Sequence, residues 1–265
     1  MFDRFNRRIH YLRISVTDRC NLRCYYCMPP EGVPLFCHED LLSLEEIQEF
    51  VAVAVELGVD KVRLTGGEPL LRRGIVALVK MLAEIPGIRD LAMTTNGTLL
   101  DRYAADLRAA GLMRVNVSMD SAFPERFAEI TRGGKLDKVL EGIAAARAAG
   151  FEGIKLNCVI ENSPDEEDAR SVARFGAAEG LEVRYIHRMH TEQGIFQPVI
   201  GGEGGHCASC NRLRLTANGL VYPCLFSNQS WSVRQLGARE ALLAAVAAKP
   251  ESGQTSHHRF SQMGG

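Results

Sequence analysis

The chain has 265 residues, 46% of them hydrophobic, and its 31 lysines and arginines against 32 acidic residues give a formal net charge of −1. That is enough apolar material for one large core, and the near-neutral charge argues against a general nucleic-acid binder or membrane-surface protein while leaving room for a local arginine pocket. No apolar run reaches membrane-spanning length and the opening MFDRFNRRIH lacks the apolar core of a signal peptide, so a cytoplasmic, reducing setting is expected.

In chain order, residues 9–16 (IHYLRISV) read as a strand followed at once by a cysteine-rich loop. Ser43-Leu-Glu-Glu46 is a capping box that opens an apolar-periodic helix through Leu57, stopped by Gly58. Strands are predicted at 61–64, 91–95, 115–118, 154–160 and 182–186. Helices are predicted at 74–84, 99–109, 136–149 and about 164–178, several closed by glycine. Six strand–helix steps imply a parallel sheet, either open and doubly wound or curled into a partial barrel.

In both architectures ligands sit at the carboxyl ends of the strands. The chemically distinctive segments all fall there: the cysteine loop, Thr65-Gly-Gly-Glu-Pro69, Thr94-Thr95-Asn96-Gly97, Ser118-Met-Asp120 and His187-Arg-Met189. Residues 190–206 are glycine-rich and read as a linker; they lack the lysine and hydroxyl of a phosphate loop. Residues 207–265 carry a second cysteine set and a polar tail.

Cys20, Cys24 and Cys27 have the spacing C-x3-C-x2-C. Three thiolates are one short of filling a cubane iron–sulfur cluster, which leaves one iron open to another ligand. Reduced thiols without metal are the plain alternative, and a structural zinc site would show a fourth ligand at its own spacing. Cys207, Cys210 and Cys224 form a second trio, readable as another such cluster or as a zinc knuckle with His206 as fourth ligand. The charges Arg13, Arg63, Lys155 and Arg184 lie inside apolar strands, where burial is costly unless they face a polar cavity. A guanidinium fork suits phosphate oxygens.

The loop TDRCNLRCYYCMPP resembles the signature of radical S-adenosylmethionine (SAM) enzymes, including Tyr26 before the third cysteine. Across most of the chain, LRISVTDRCNLRCYYCMPPEG, CASCNRLRLTANGLVYPCLF and the terminal Gly264-Gly265 resemble the MoaA family of GTP 3',8-cyclases. The resemblance implies a partial (β/α)6 TIM-type barrel over 1–189, the 190–206 linker, and a C-terminal iron–sulfur extension over 207–265. It implies two [4Fe–4S] clusters, one on Cys20, Cys24 and Cys27 and one on Cys207, Cys210 and Cys224. SAM would be held by Tyr26, Gly66, Gly67, Glu68, Asn96, Ser118 and Met189. GTP would be held by Arg13, Arg63, Thr94, Lys155, Arg212 and Arg214, with Gly264 and Gly265 reaching the reacting groups. A reductant such as flavodoxin or ferredoxin is implied, no membrane or nucleic-acid partner is, and a homodimer is left open.

Three features depart from the family pattern, the first being His187-Arg-Met-His190 where an acidic Glu-x-Met-Asp-like run is usual. The stretch between His187 and His206 is shorter by several tens of residues, and the tail reads Phe260-Ser-Gln-Met263. A related radical SAM enzyme acting on another substrate, such as a peptide, is the alternative. A non-enzymatic iron–sulfur carrier or zinc adaptor would have no use for the GGEP segment. Cys158 reads as core packing, and Cys37, His257 and His258 carry no functional argument.

Overall fold

The structure is a computed structural model that describes residues 1–256 and Met263. Its strands and helices follow in the order β1 (Tyr11–Ser15), α1 (Leu44–Glu56), β2 (Lys61–Thr65), α2 (Ile75–Ala83), β3 (Asp90–Thr95), α3 (Leu100–Ala109) and β4 (Arg114–Ser118). Then come α4 (Pro124–Thr131), α5 (Leu136–Ala148), β5 (Lys155–Ile160), α6 (Glu167–Glu179) and β6 (Glu182–His187). The C-terminal part adds β7 (Arg212–Leu215), β8 (Leu220–Tyr222), β9 (Trp231–Ser232), α7 (Val233–Leu236) and α8 (Ala238–Ala247).

Helix α1 shows why the pattern folds as read. Ser43 Oγ accepts from the Glu46 N–H at 3.1 Å and Glu46 Oε2 accepts from the Ser43 N–H at 2.7 Å, so two otherwise orphaned donors are satisfied. Ile47, Phe50, Val51 and Ala54 line its buried face. Gly58 at φ +100° ends it in a conformation that a Cβ would disfavour. Helix α4 escaped the sequence reading: it is eight residues long, begins at Pro124 and carries a short apolar face of Phe127 and Ile130.

The sheet order is β6-β5-β4-β3-β2-β1-β7-β8-β9, with every pair from β6 to β7 parallel. Residues on each strand alternate between two surroundings. Leu12, Ile14, Val62, Leu64, Val115, Val117 and Leu156 are fully buried against the helices, each contributing about 1.5–3 kcal/mol. Cys158 lies in that layer, completely buried. The intervening residues, among them Arg13, Arg63, Asn116 and Lys155, face the opposite side and line one cavity. This is the partial barrel.

The C-terminal region is built onto that barrel. Strand β7 pairs in parallel with β1, setting Arg214 beside Arg13 and Arg212 beside Tyr11. Residues 190–206 also do more than connect. Ile200 and Tyr185 exchange two backbone hydrogen bonds of 3.0 Å, so the segment folds back on β6 and satisfies edge groups that would otherwise lack partners. Phe196, Val199 and Gly204 bring it to the cavity wall.

Candidate active site

The cysteine loop leaves β1 and is fixed by backbone contacts on both sides. Gly67 N–H donates to the Thr17 carbonyl at 2.8 Å and Glu68 N–H to the Arg19 carbonyl at 2.7 Å. A Cβ on Gly67 would stand 2.3 Å from the Arg19 oxygen, so the glycine is needed for the approach of two backbone segments. Arg23 Nη1 donates to the Cys20 carbonyl at 2.6 Å, and Arg132 Nη1 to that of Met28 at 2.8 Å. Tyr26 donates its hydroxyl hydrogen to Asp120 Oδ2 at 2.6 Å, while Asp120 Oδ1 accepts from the Val159 N–H at 2.8 Å. The loop is thereby fastened to β4 and β5.

Cys20, Cys24 and Cys27 all line a cavity of about 520 Å³. Burial pushes Cys24 and Cys27 up, Cys27 to about 12, and the neighbouring Asp120 and companion thiols add to the effect. Three thiolates here therefore call for a strong local cation, which the irons of a cluster would supply. The Leu22 N–H, 3.4 Å from Cys20 Sγ, provides a donor to one of the sulfurs. The donor set fits the group.

Of the residues expected to hold SAM, Tyr26, Gly66, Gly67, Asn96, Ser118 and Met189 line this cavity. Glu68 lies outside its lining, with no exposed surface. Its Oε1 accepts from Leu70 N–H at 3.0 Å and Thr95 Oγ1–H at 2.7 Å, and its Oε2 accepts from Asn96 N–H at 2.7 Å. Burial raises its pKa to about 7. Glu68 thus positions the end of β3, and Asn96 with it.

All six residues expected to hold the nucleotide, Arg13, Arg63, Thr94, Lys155, Arg212 and Arg214, line the same cavity. Among the described residues, nine arginines and lysines line it against two carboxylates, Asp120 and Glu203. Burial lowers Arg13 to about 10 and Arg214 to about 9, and neighbouring guanidiniums push in the same direction. Tyr11 registers the same field. Burial would raise its pKa, yet Arg13, Arg63, Arg212 and Lys61 outweigh that and lower it. Lys155 pairs with Glu182, which also accepts from Arg184 at 2.9 Å. Arg72 turns away and donates to the Leu42 carbonyl at 2.5 Å.

Sequence reasoning missed Lys61, Arg114, Asn116 and Asn157 on the cavity wall. The signal was present in the two-residue alternation: Lys61, Arg63 and Thr65 share one face of β2, as Arg114, Asn116 and Ser118 share one face of β4.

The second cysteine trio lies on the segments before β7 and after β8, outside the cavity lining, and Cys224 packs in the same cluster as the lining residues Met189 and Phe196. Lys249, buried, donates from Nζ to the carbonyls of Arg212 and Pro223, each at 2.7 Å. Its charge acts on both Cys210 and Cys224. Burial opposes the Cys210 thiolate, but Lys249 and the Arg212 N–H outweigh it and lower the pKa. Arg7, buried and paired with Asp3 at 2.6 Å, donates to the Cys207 carbonyl at 2.7 Å and ties the N-terminal arm to this loop. Among the described residues no group of three or more His, Cys, Asp or Glu side chains is gathered closely enough to hold a metal ion. Buried cations beside anionic sulfur fit a cluster. Arg214 Nη1 also donates to the Met263 carbonyl at 3.0 Å. Gly264, Gly265, His257 and His258 lie outside the described residues, and Cys37 is exposed.

Residues 14–176, more than half of the chain, match the Radical SAM superfamily. The sequence is 40% identical over 313 residues to the GTP 3',8-cyclase of Heliobacterium modesticaldum, covering 99% of this chain and 96% of that one. The chain belongs to the GTP 3',8-cyclase family of radical SAM enzymes. A second family member, the GTP 3',8-cyclase of Moorella thermoacetica, is 39% identical, with 98% and 95% covered. An alignment of 313 residues against a chain of 265 leaves the relative with extra residues. The fold also recurs at 15% identity in SuiB of Streptococcus suis bound to precursor peptide SuiA, with a TM-score of 0.71 over 92% of this chain and 66% of that one. In anSMEcpe with bound AdoMet the TM-score is 0.64, over 92% and 78%. No helix among the described residues is long and apolar enough to cross a membrane.

Proposed function

We propose that this chain is a radical SAM lyase that converts GTP to (8S)-3',8-cyclo-7,8-dihydroguanosine 5'-triphosphate, the opening reaction of molybdenum cofactor biosynthesis. The excess of arginines and lysines over carboxylates in the cavity lining, with Arg63 and Arg214 buried, supports this reading most directly. Buried guanidiniums already depressed by their surroundings gain most from a polyanion, and a nucleoside triphosphate brings several negative charges on a neutral body.

Cys20, Cys24 and Cys27 would hold a [4Fe–4S] cluster, which together with SAM would supply the radical chemistry needed to remove hydrogen from C3' of GTP and join that carbon to C8 of the guanine. The chain's part is placement. Gly66, Gly67, Asn96, Ser118 and Met189 are at hand to hold SAM beside the cysteine loop. Arg13, Arg63, Lys155, Arg212 and Arg214 are at hand to hold the nucleotide, with Thr94 between them. The walls keep the reacting carbons aligned and exclude solvent. A second [4Fe–4S] cluster would be held by Cys207, Cys210 and Cys224, on the segments that flank the hairpin carrying Arg212 and Arg214. A flavodoxin or ferredoxin in a reducing cytoplasm would supply two electrons, one for SAM cleavage and one that, with a proton, brings the cyclised nucleotide to its 7,8-dihydro level.

Anaerobic incubation of reconstituted protein with SAM, dithionite and GTP, followed by mass spectrometry, tests the reading. The expected result is 5'-deoxyadenosine together with cyclised nucleotide. Cleavage of SAM that GTP neither accelerates nor couples to a nucleotide product would overturn it.

A further inference from the structure

Asn116, in the middle of β4, is 1% exposed, and among the described residues its Oδ1 is a buried side-chain oxygen without a hydrogen-bond partner. The residue lines the cavity. A buried acceptor left unpaired costs about 1–3 kcal/mol, so this oxygen calls for a donor from whatever fills the space.

Strand register fixes its level. Asn116 stands beside Thr94 on β3 and Lys155 on β5. Ser118, two residues on, sits one level nearer the cysteine loop, and Arg114, two residues back, lies level with Ala92, which is level with Arg63. Asn116 therefore lies between the level of the residues placed beside SAM and the deeper level of cationic side chains. Among the described residues Arg63 Nε is likewise buried without a hydrogen-bond partner, although Arg63 Nη1 reaches Thr94 Oγ1 at 3.4 Å. One group lacks a donor and the other an acceptor, and the same cavity serves both.

An anionic phosphate oxygen would be repelled by Asn116 Oδ1. A hydroxyl can donate to the amide oxygen and accept from a guanidinium N–H. We infer that Asn116 is a substrate-positioning residue whose side-chain oxygen accepts a hydrogen bond from a ribose hydroxyl held between the two levels. The ribose of the nucleotide and that of SAM share this chemistry; the nucleotide source rests on the GTP reading above, and the SAM source does not. In either case the contact fixes a sugar about the axis along which hydrogen passes between the two molecules.

The test is equilibrium dialysis of the anaerobically reconstituted enzyme, without reductant, against GTP, 2'-deoxy-GTP, 3'-deoxy-GTP and SAM. The proteins are wild type, Asn116→Leu, which removes the acceptor, and Asn116→Asp, which keeps one. Wild type should bind GTP about three- to tenfold more tightly than one deoxy analogue, the range for a single neutral hydrogen bond. Asn116→Leu should erase that preference and Asn116→Asp retain it, with SAM affinity unmoved. A loss of SAM affinity in Asn116→Leu with the nucleotide preference intact assigns the hydroxyl to SAM. The inference fails if wild type ignores both ribose hydroxyls and Asn116→Leu leaves SAM untouched, or if Asn116→Leu weakens GTP and both analogues equally. Should wild type bind no GTP, the GTP reading falls and the SAM arm alone decides. The comparison of deoxy analogues on wild type keeps the inference open to refutation even if Asn116→Leu does not fold.

Discussion

The Glu68 N–H donates to the Arg19 carbonyl at 2.7 Å, so the turn after β2 and the base of the cysteine loop share one backbone junction. Gly67 stands at its narrowest point. Gly67→Ala should push the loop off its seat, at a cost of about 1–3 kcal/mol from overpacking. The expected outcome is a lower melting temperature and loss of iron from the first cysteine set. Full iron content with an unchanged melting temperature would show that the junction yields freely.

Glu68 gives the cluster-free protein a pH signature. Burial raises its pKa from the ordinary 4.5 to about 7, so the folded chain keeps a proton that the unfolded chain releases. Its stabilising contribution is complete below pH 4.5 and is lost as pH rises through 7. Urea midpoints taken across that window should fall for wild type and fall less steeply for Glu68→Gln. Parallel curves would mean that Glu68 is ionised throughout.

Iron counting separates the two cysteine sets. Reconstituted wild type should approach about eight irons per chain, four for each cubane cluster. Replacing Cys20, Cys24 and Cys27 together with alanine should leave about half and abolish SAM cleavage. Stoichiometric zinc on Cys207, Cys210 and Cys224 would sink the second cluster.

Arg212 and Arg214 should differ. Arg212→Ala should weaken GTP binding by about 1.5–3 kcal/mol, the range for a hydrogen bond to a charged group, and spare SAM. Arg214→Ala should do the same and also free the Met263 carbonyl, which Arg214 holds at 3.0 Å. The check is titration of both ligands into each variant. Equal losses of SAM and GTP would make the pair structural.

Met263 is buried against Tyr222, Leu225 and Phe226 beside that arginine. Deleting Gly264 and Gly265, which follow it directly, should preserve iron content and SAM cleavage while cyclised product disappears. Product formation at the full-length rate would remove any role for the two glycines.

Much of this was legible because it is local. The capping box at Ser43, the glycine after α1 and the period-two strands are written in neighbouring residues, and each strand end carried its motif in plain order. What escaped is written between distant ones. Nothing near Arg212 announces that β7 will lie along β1, since both strands are short, each alternates apolar with polar or charged residues, and their pairing is decided by the whole sheet. Glu68 looked like a ligand contact because its motif is exposed in sequence; only packing shows that its oxygens are already taken. The 190–206 stretch read as a linker because glycines carry no periodic signal, although Ile200 within it pairs with Tyr185 of β6.

The place of β7 has a consequence for how such a chain is made. The ribosome delivers β1 first and its second neighbour, Arg212–Leu215, only near the end. Until then one edge of β1 has no strand beside it, and an open parallel edge is a template for pairing with another molecule. Contacts between residues 11 and 212 are also among the slowest for a folding chain to close. A chain cut anywhere between β6 and β7 is therefore not a smaller working barrel. It is an unfinished sheet with its aggregation-prone side exposed, and the residues that carry the cysteine loop lie along it.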